Sequence, residues 1–175
     1  MNVAMRKPDS SEHNLYYGKY IALVGEENPL DALRSGRDLM LRLLGNVSEA
    51  DSLIKHAPYT WSIKEVIGHL VDSERIFAYR ALRIARGDST PLPGFEENDY
   101  VRVAGFDRRP LPELASEFDT VRRSTLSLFE SVEEAAWERR GMANGSPISV
   151  RALAFILAGH ERHHSTIIKA RLGVS

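Results

Sequence analysis

Two histidines spaced four residues apart, His160 and His164, lie in the last apolar stretch of the chain, where a helix normally buries leucine or isoleucine. At about 100° per residue, both fall within about 20° of the line through the apolar residues between Val150 and Ile168. Side chains at i and i+4 project side by side, so one helix can present both imidazoles to one metal ion. Since an unpartnered buried imidazole is unfavourable, this pair favours a metal site over two hydrogen-bonded core histidines.

A third imidazole is needed to complete such a site, and the sequence offers His69. It lies on an earlier helix that begins at Ser62, where Glu65 completes a capping box. Periodicity places His69 about 120° from the apolar stripe of that helix, so its assignment rests on the need for a third donor. Three protein nitrogens with an open position are typical of a catalytic metal site, whereas a closed structural site has four ligands.

The composition limits both the ligands and the partners. The chain has 175 residues, a formal net charge of -1 and no cysteine. Without thiolates a metal must be held by nitrogen and oxygen, which favours zinc or nickel, with iron(II) and manganese as alternatives. The charges form no basic stripe, so nucleic acid is not an expected partner. No apolar run is long enough to span a membrane and the N-terminus has no signal-peptide pattern, so we expect a cytoplasmic protein.

Helical periodicity and helix-end signals predict an all-α fold, a four-helix bundle with a long loop between its second and third helices. Residues 1–28 are predicted to form an N-terminal extension packed on the body, and residues 29–175 a single bundle domain. No strand-like alternation is evident. The predicted helices cover residues 30–46, 63–86, 111–137 and 150–172, the irregular connection covers 87–110, and a turn-rich break covers 141–147.

Other polar residues are further candidates for the site. His163 points about 100° away from the histidine that follows it, so it is interpreted as a residue beside the metal or in contact with substrate. Glu74 lies near the centre of its helix's apolar stripe, where a carboxylate must be paired or ligating. It is a candidate catalytic base, with a buried ion pair to an arginine as the alternative. Residues in the long connection would contact substrate if it folds over the metal, and otherwise form a capped turn: Asn98, Asp99 and Tyr100.

Two segments of the chain resemble the signature segments of the DinB/YfiT-like family. One is Trp61–Arg75, with its Trp-Ser and Gly-His pairs, and the other is His160–His164. The runs Arg80–Asp88 and Pro93–Tyr100 add to the likeness, which extends over most of the chain. The resemblance implies a four-helix bundle with a three-histidine metal site, one ligand on the second helix and two on the last.

The ligands implied by this resemblance, residue by residue, are His69, His160 and His164, with water completing the shell. Members often form homodimers, so a homodimer is implied here as well. Many members also carry a glutamine three residues after the final histidine, but this chain has Ile167 there. The resemblance therefore implies no role for that amide.

The resemblance leaves three functions open. The first is a metal-dependent S-transferase that activates a low-molecular-weight thiol cosubstrate for attack on an electrophile. The second is a metal-dependent hydrolase of a small-molecule substrate, which needs a carboxylate base near the open metal position. The third is a non-enzymatic metal-binding stress protein, which predicts a closed coordination shell and no pocket beside the ion.

Overall fold

The long helices begin at the residues whose side chains predict a helix start. The structure, a computed structural model, describes residues 5–174, and residues 1–4 and 175 of the predicted segments 1–28 and 29–175 lie outside it. Ser62 and Glu65 form the predicted capping box, and Ser149 accepts a hydrogen bond from the backbone N–H of Ala152 at 3.0 Å. The elements are α1 (Gly18–Val24), α2 (Pro29–Leu44), α3 (Ile63–Ala85), α4 (Glu97–Ala104), α5 (Leu111–Glu130), β1 (Arg140–Ala143), β2 (Ser146–Ser149) and α6 (Val150–Leu172).

Helices α2, α3, α5 and α6 form a four-helix bundle. Helix α3 packs against α5 and α6, and α2 packs against the same two helices. Consecutive helices α2 and α3 therefore lie diagonally across the bundle rather than side by side. This arrangement brings α3 and α6, which carry the three candidate ligands, into direct contact. None of the helices within residues 5–174 combines the length and apolar character needed to cross a bilayer.

The first three turns of α6 are buried on every side. All residues from Val150 to Glu161 are buried, so this part of the helix has no solvent face. Helix α1 covers one side, where the backbone carbonyl of Tyr20 lies so close to Gly159 that a β-carbon there would overlap it. Helix α2 covers another, where Gly36 leaves room for the carboxylate of Glu161. Helix α6 is thus a central element rather than an amphipathic helix with one apolar stripe.

The connection over residues 87–110, predicted to be irregular, contains the two-turn helix α4 and a short 3-10 turn. The Glu96 side chain caps α4 by accepting from the backbone N–H of Asn98 at 3.3 Å. Val101 and Phe106 are buried, and the Phe106 ring occupies the space that a side chain at position 68 would take. The prediction of an irregular loop was wrong because two buried side chains are enough to anchor so short a helix.

The break predicted over 141–147 is a β-hairpin, so the fold is mostly helical rather than strictly all-α. Strands β1 and β2 pair antiparallel around Asn144 and Gly145, whose φ angles are 50° and 70°. Positive φ at both central residues is what a two-residue hairpin needs, and an Asn-Gly pair adopts it readily. Leu92 extends the hairpin, because its backbone N–H donates to the carbonyl of Met142 at 2.9 Å.

Helix α5 is shorter than the predicted 111–137, ending at Glu130. Beyond it the chain reverses through Val132, which is 9% exposed, and forms a 3-10 turn over Glu134–Ala136. The reversal allows Trp137 to stack on Phe129, with ring centroids 5.6 Å apart and an interplanar angle of 21°. Periodicity alone did not show that α5 ends at Glu130, because the residues after that point continue the apolar spacing of the helix.

A buried ionic network joins α3, α5 and α6. Arg122 on α5 donates to both oxygens of Glu74 on α3, at 2.8 Å each, and to Glu161 on α6 at 2.6 Å. It also donates to the backbone carbonyl of Leu33 on α2 at 2.8 Å. Burial opposes the charge on Arg122, but the two carboxylates raise its pKa above its usual value. Since a single buried charge here would be unfavourable, the network fixes how the four helices dock.

A second buried network ties the N-terminal segment to the start of α6. Arg151 donates two hydrogen bonds to Glu12, at 2.7 and 2.5 Å, and Ser149 donates to the same carboxylate at 2.8 Å. Burial alone would raise the pKa of Glu12, but these hydrogen bonds lower it to about 2 from an ordinary value of 4.5. The ionised carboxylate therefore stabilises the folded state.

We expect Glu12→Gln to lower the free energy of unfolding by about 3 kcal/mol at pH 7, because it removes one charge of a buried pair. A folded-state pKa below the unfolded value gives stability that is complete above pH 4.5 and is lost as the pH falls towards 2. The difference between wild type and variant, measured by urea unfolding, should therefore shrink by more than half at pH 3.

The matched control is Glu138→Gln. Glu138 binds the same arginine, Arg151, at 2.8 Å, but its side chain is 70% exposed. This variant should lower the free energy of unfolding by less than about 1 kcal/mol. If Glu12→Gln lowers the free energy of unfolding as much at pH 3 as at pH 7, the lowered pKa of Glu12 is contradicted.

Candidate metal centre

The three predicted histidines converge on one point between α3 and α6. The Nε2 atom of His160 lies 3.0 Å from Nε2 of His69 and 3.2 Å from Nε2 of His164. One nitrogen of each lies within 4.8 Å of the others, in an arrangement suited to a metal ion. Periodicity placed His69 about 120° from the apolar stripe of its helix. In the structure it is only 5% exposed, because α6 packs directly over it.

Neighbouring rings and one hydroxyl hold these imidazoles in place. Trp61 packs on His69 with ring centroids 4.9 Å apart, and Tyr20 from α1 meets His160 edge-on at 5.2 Å. The Ser73 hydroxyl, one turn after His69 on the same helix, lies 3.4 Å from its Nδ1. The N-terminal helix thus contributes directly to the walls of the site.

The electrostatics keep the imidazoles neutral. Burial lowers the pKa of His69 to about 4. Burial, and then the neighbouring imidazoles, lower the pKa values of His160 and His164 well below the ordinary range. All three therefore present lone pairs at neutral pH, which is the form in which histidine binds a metal.

The geometry fits a bound metal better than a set of hydrogen bonds. Each ring nitrogen carries either one proton or one in-plane lone pair, so Nε2 of His160 can satisfy only one of its two short contacts. Nitrogens at 2.0–2.1 Å from a tetrahedral ion stand about 3.3 Å apart, close to the spacing seen here. A set of three nitrogen donors suits zinc or nickel, and also accepts iron(II) or manganese.

A cavity of about 590 Å³ opens beside the three imidazoles. Its wall includes His163, which packs edge-on against Tyr20 and His164 with centroids 5.6 and 5.1 Å away. Burial, and then Lys19, lower the pKa of His163. The remaining wall combines aromatic rings with polar and charged side chains, the rings being those of Tyr16, Tyr17, Trp61, Phe77 and Phe95. The site is therefore open to a small molecule rather than closed.

Glu74 does not face this cavity. Both of its oxygens accept hydrogen bonds from Arg122, and its side chain is 3% exposed. This is the ion pair that the sequence left open as the alternative. Among residues 5–174, none of the carboxylates hydrogen-bonds to one of the three clustered imidazoles, so a catalytic role for Glu74 lacks geometric support.

The candidates from the long connection lie elsewhere. Asn98 and Asp99 are exposed, and Asp99 pairs with Arg102 at 2.7 Å. Tyr100 packs on Phe95 and lines a neighbouring hollow rather than the cavity beside the histidines. Contact of these three residues with substrate therefore remains a prediction that the cavity wall does not support.

Sequence reasoning did not single out the residues of the cavity wall that come from the N-terminal segment. Tyr16, Tyr17 and Tyr20 line the cavity together with Lys19, whose ammonium lies 4.2 Å from the Tyr16 ring centre. The available signal was the density of aromatic residues before the first long helix. It was insufficient because α1 has only seven residues, too few for its helical spacing to stand out from the sequence.

Solved structures of other proteins have a fold similar to that of this chain. YfiT from Bacillus subtilis, described as a probable metal-dependent hydrolase with an unusual four-helix bundle topology, superposes with a TM-score of 0.75 at 14% identity. The match covers 97% of this chain and 95% of that one. A mycothiol-dependent maleylpyruvate isomerase gives a TM-score of 0.68 at 16% identity, over 80% of this chain and 59% of that one.

At these identities, the two structures establish the fold alone. No curated protein matches the sequence closely. The family model, in contrast, matches the sequence itself over most of the bundle and over all three clustered histidines. Since the model of the DinB superfamily matches residues 32–168, this chain belongs to that superfamily.

Proposed function

We propose that this protein is a metal-dependent S-transferase that joins a low-molecular-weight thiol to a small electrophile. The observation that supports it most is the convergence of three neutral imidazole nitrogens, 3.0 and 3.2 Å apart, on the wall of a cavity, with no carboxylate of the described residues hydrogen-bonded to them. A thiol cosubstrate supplies its own nucleophile, so the absence of cysteine from the chain is no obstacle.

The residues of the site have separate tasks in this proposal. His69, His160 and His164 would hold a divalent ion, which would supply the positive charge that lowers the pKa of a thiol and favours the thiolate at neutral pH. His163, neutral and on the cavity wall, takes the proton released by the thiol at a ring nitrogen. The sulfur then forms a bond to the electrophilic carbon, and a leaving group departs with its electron pair.

The aromatic walls position the reactants and limit water. Trp61 and Tyr20 cover two of the imidazoles, and Phe77 lies 6.5 Å from the His160 ring centre. Such walls favour a planar or apolar electrophile over a highly hydrated one. They also reduce competition from water for the open position.

A metal-dependent hydrolase is the alternative, and the similarity to YfiT favours it. A hydrolase needs a carboxylate that can reach an attacking water. Glu97 is the candidate, because it lines the cavity and burial raises its pKa. A non-enzymatic metal-binding protein is less well supported, since a cavity of about 590 Å³ beside the histidines is not needed for sequestration. A homodimer remains a prediction from the family.

The first test is the metal content of the purified protein, measured by mass spectrometry after growth with zinc, nickel, iron and manganese. We expect close to one divalent ion per chain. His69→Ala and His164→Ala should each lose it, because two imidazoles bind far more weakly than three. The matched control is His163→Ala, which removes an imidazole from the same wall and should keep the metal. Metal retained in His69→Ala would contradict the three-histidine assignment.

The second test is conjugation of 1-chloro-2,4-dinitrobenzene by the metal-loaded protein with bacillithiol, mycothiol, coenzyme A or glutathione. With one of these thiols we expect the thioether to form at least about tenfold faster than with protein treated with a chelator, because the thiolate fraction rises. His164→Ala should match the chelated protein. If each of the four thiols reacts at the same rate with metal-loaded and with chelator-treated protein, the transferase proposal is rejected. Metal-dependent cleavage of p-nitrophenyl acetate without thiol would then favour the hydrolase.

A third test separates a structural from a catalytic role for Glu74. We expect Glu74→Gln to lower the melting temperature, because Arg122 loses one of its two counter-charges. The turnover rate per metal-loaded folded chain should change less than about twofold. A catalytic base would instead show a fall of about a hundredfold or more. That result, with metal content unchanged, would restore the catalytic assignment.

A further inference from the structure

Arg80 on α3 is buried without a carboxylate partner. The residue is 2% exposed, and within residues 5–174 it has no acidic group within salt-bridge distance. Its Nη2 donates to the backbone carbonyl of Pro93 at 2.7 Å. The guanidinium carbon lies 5.4 and 5.9 Å from the ring centres of Phe77 and Phe95. One carbonyl, two rings and the hydroxyl of Tyr17 engage only part of a group with five N–H donors.

The other two buried arginines of the described chain show what is usual here. Arg122 pairs with two buried carboxylates, and Arg151 pairs with a buried and an exposed one. Burying a guanidinium without an anion is unfavourable, since a charge leaves water without compensation. Arg80 therefore differs from the other two buried arginines, since within residues 5–174 no carboxylate pairs with it.

The position of Arg80 suggests where the anion comes from. Arg80 lines the same cavity as the three clustered histidines. The Phe77 ring lies close to both, 5.4 Å from the guanidinium carbon and 6.5 Å from the His160 ring centre. A small molecule can therefore reach Arg80 with one end and the histidines with the other.

The other charged groups of the cavity do not substitute for Arg80. Lys19 is exposed, and its ammonium lies 4.2 and 4.9 Å from the ring centres of Tyr16 and Tyr20. Glu96 is exposed and its carboxylate is occupied in capping α4. Arg80 is thus the buried, dehydrated charge of the cavity, and the one with the greatest effect on a ligand.

We propose that Arg80 binds a carboxylate of the small-molecule substrate, whose planar body lies against Phe77 and Phe95. This inference rests on the proposed function, because it names the substrate class of the same cavity. The planar fork of arginine matches a carboxylate with two parallel hydrogen bonds. The bond to the Pro93 carbonyl holds the guanidinium in place without neutralising it.

The test compares two ligands of the same shape, cinnamate and cinnamamide, by isothermal titration of the metal-loaded protein without thiol. Wild type should bind cinnamate at least about tenfold more tightly than the amide. Arg80→Gln should abolish this preference. Arg80→Lys should keep only part of it, because a point charge lacks the fork. The matched control is Arg83→Gln, on the same helix but paired with Asp88, which should behave as wild type.

Three outcomes would overturn the proposal. They are equal binding of the two ligands to wild type, a preference that persists in Arg80→Gln, and no binding of either up to about 10 mM. Tighter binding of phenyl phosphate than of cinnamate would reassign the subsite to phosphate. Circular dichroism checks that the variants fold. If Arg80→Gln does not fold, the comparison is made with Arg80→Lys instead. A carboxylate preference without thiol conjugation would reject the transferase while leaving this subsite intact.

Discussion

The constraint on which the rest of the structure depends is the complete burial of α6 from Val150 to Glu161. A helix that is apolar on all sides is stable only when other elements cover every side. The bundle supplies α2 and α3, the N-terminal segment supplies α1, and the hairpin lies at the start of the helix. The small additions to the four-helix core therefore cover the sides of α6 that the other bundle helices leave uncovered.

Three polar groups on this buried helix are each paired by a different element. Arg151 is paired by Glu12 of the N-terminal segment, His160 lies against His69 of α3, and Glu161 is paired by Arg122 of α5. A rotation of α6 by one residue, about 100°, would leave all of these groups unpaired in the core. The same ion pairs that stabilise the fold therefore also set the rotation that brings the imidazoles together.

Part of this arrangement could be predicted from sequence, and the limits have physical causes. Local chemistry marked the starts of α3 and α6, because capping depends on neighbouring residues only. It also paired His160 with His164, which share one helix face. The burial of His69 and of Arg80 depends on what packs over α3 from elsewhere in the chain. Periodicity cannot show that, and it placed His69 about 120° from the apolar stripe of its helix. Helix α4 and the hairpin were missed because each is short and is stabilised mainly by contacts with the bundle.

The close approach of Gly159 to the Tyr20 backbone has a consequence for where this protein can be divided. The segment shared with the superfamily begins at residue 32, after α1. A protein trimmed to that segment would keep all three imidazoles but lose the tyrosine wall and expose the side of α6 that α1 covers. The segment that the superfamily model matches is thus smaller than the unit that encloses the three imidazoles.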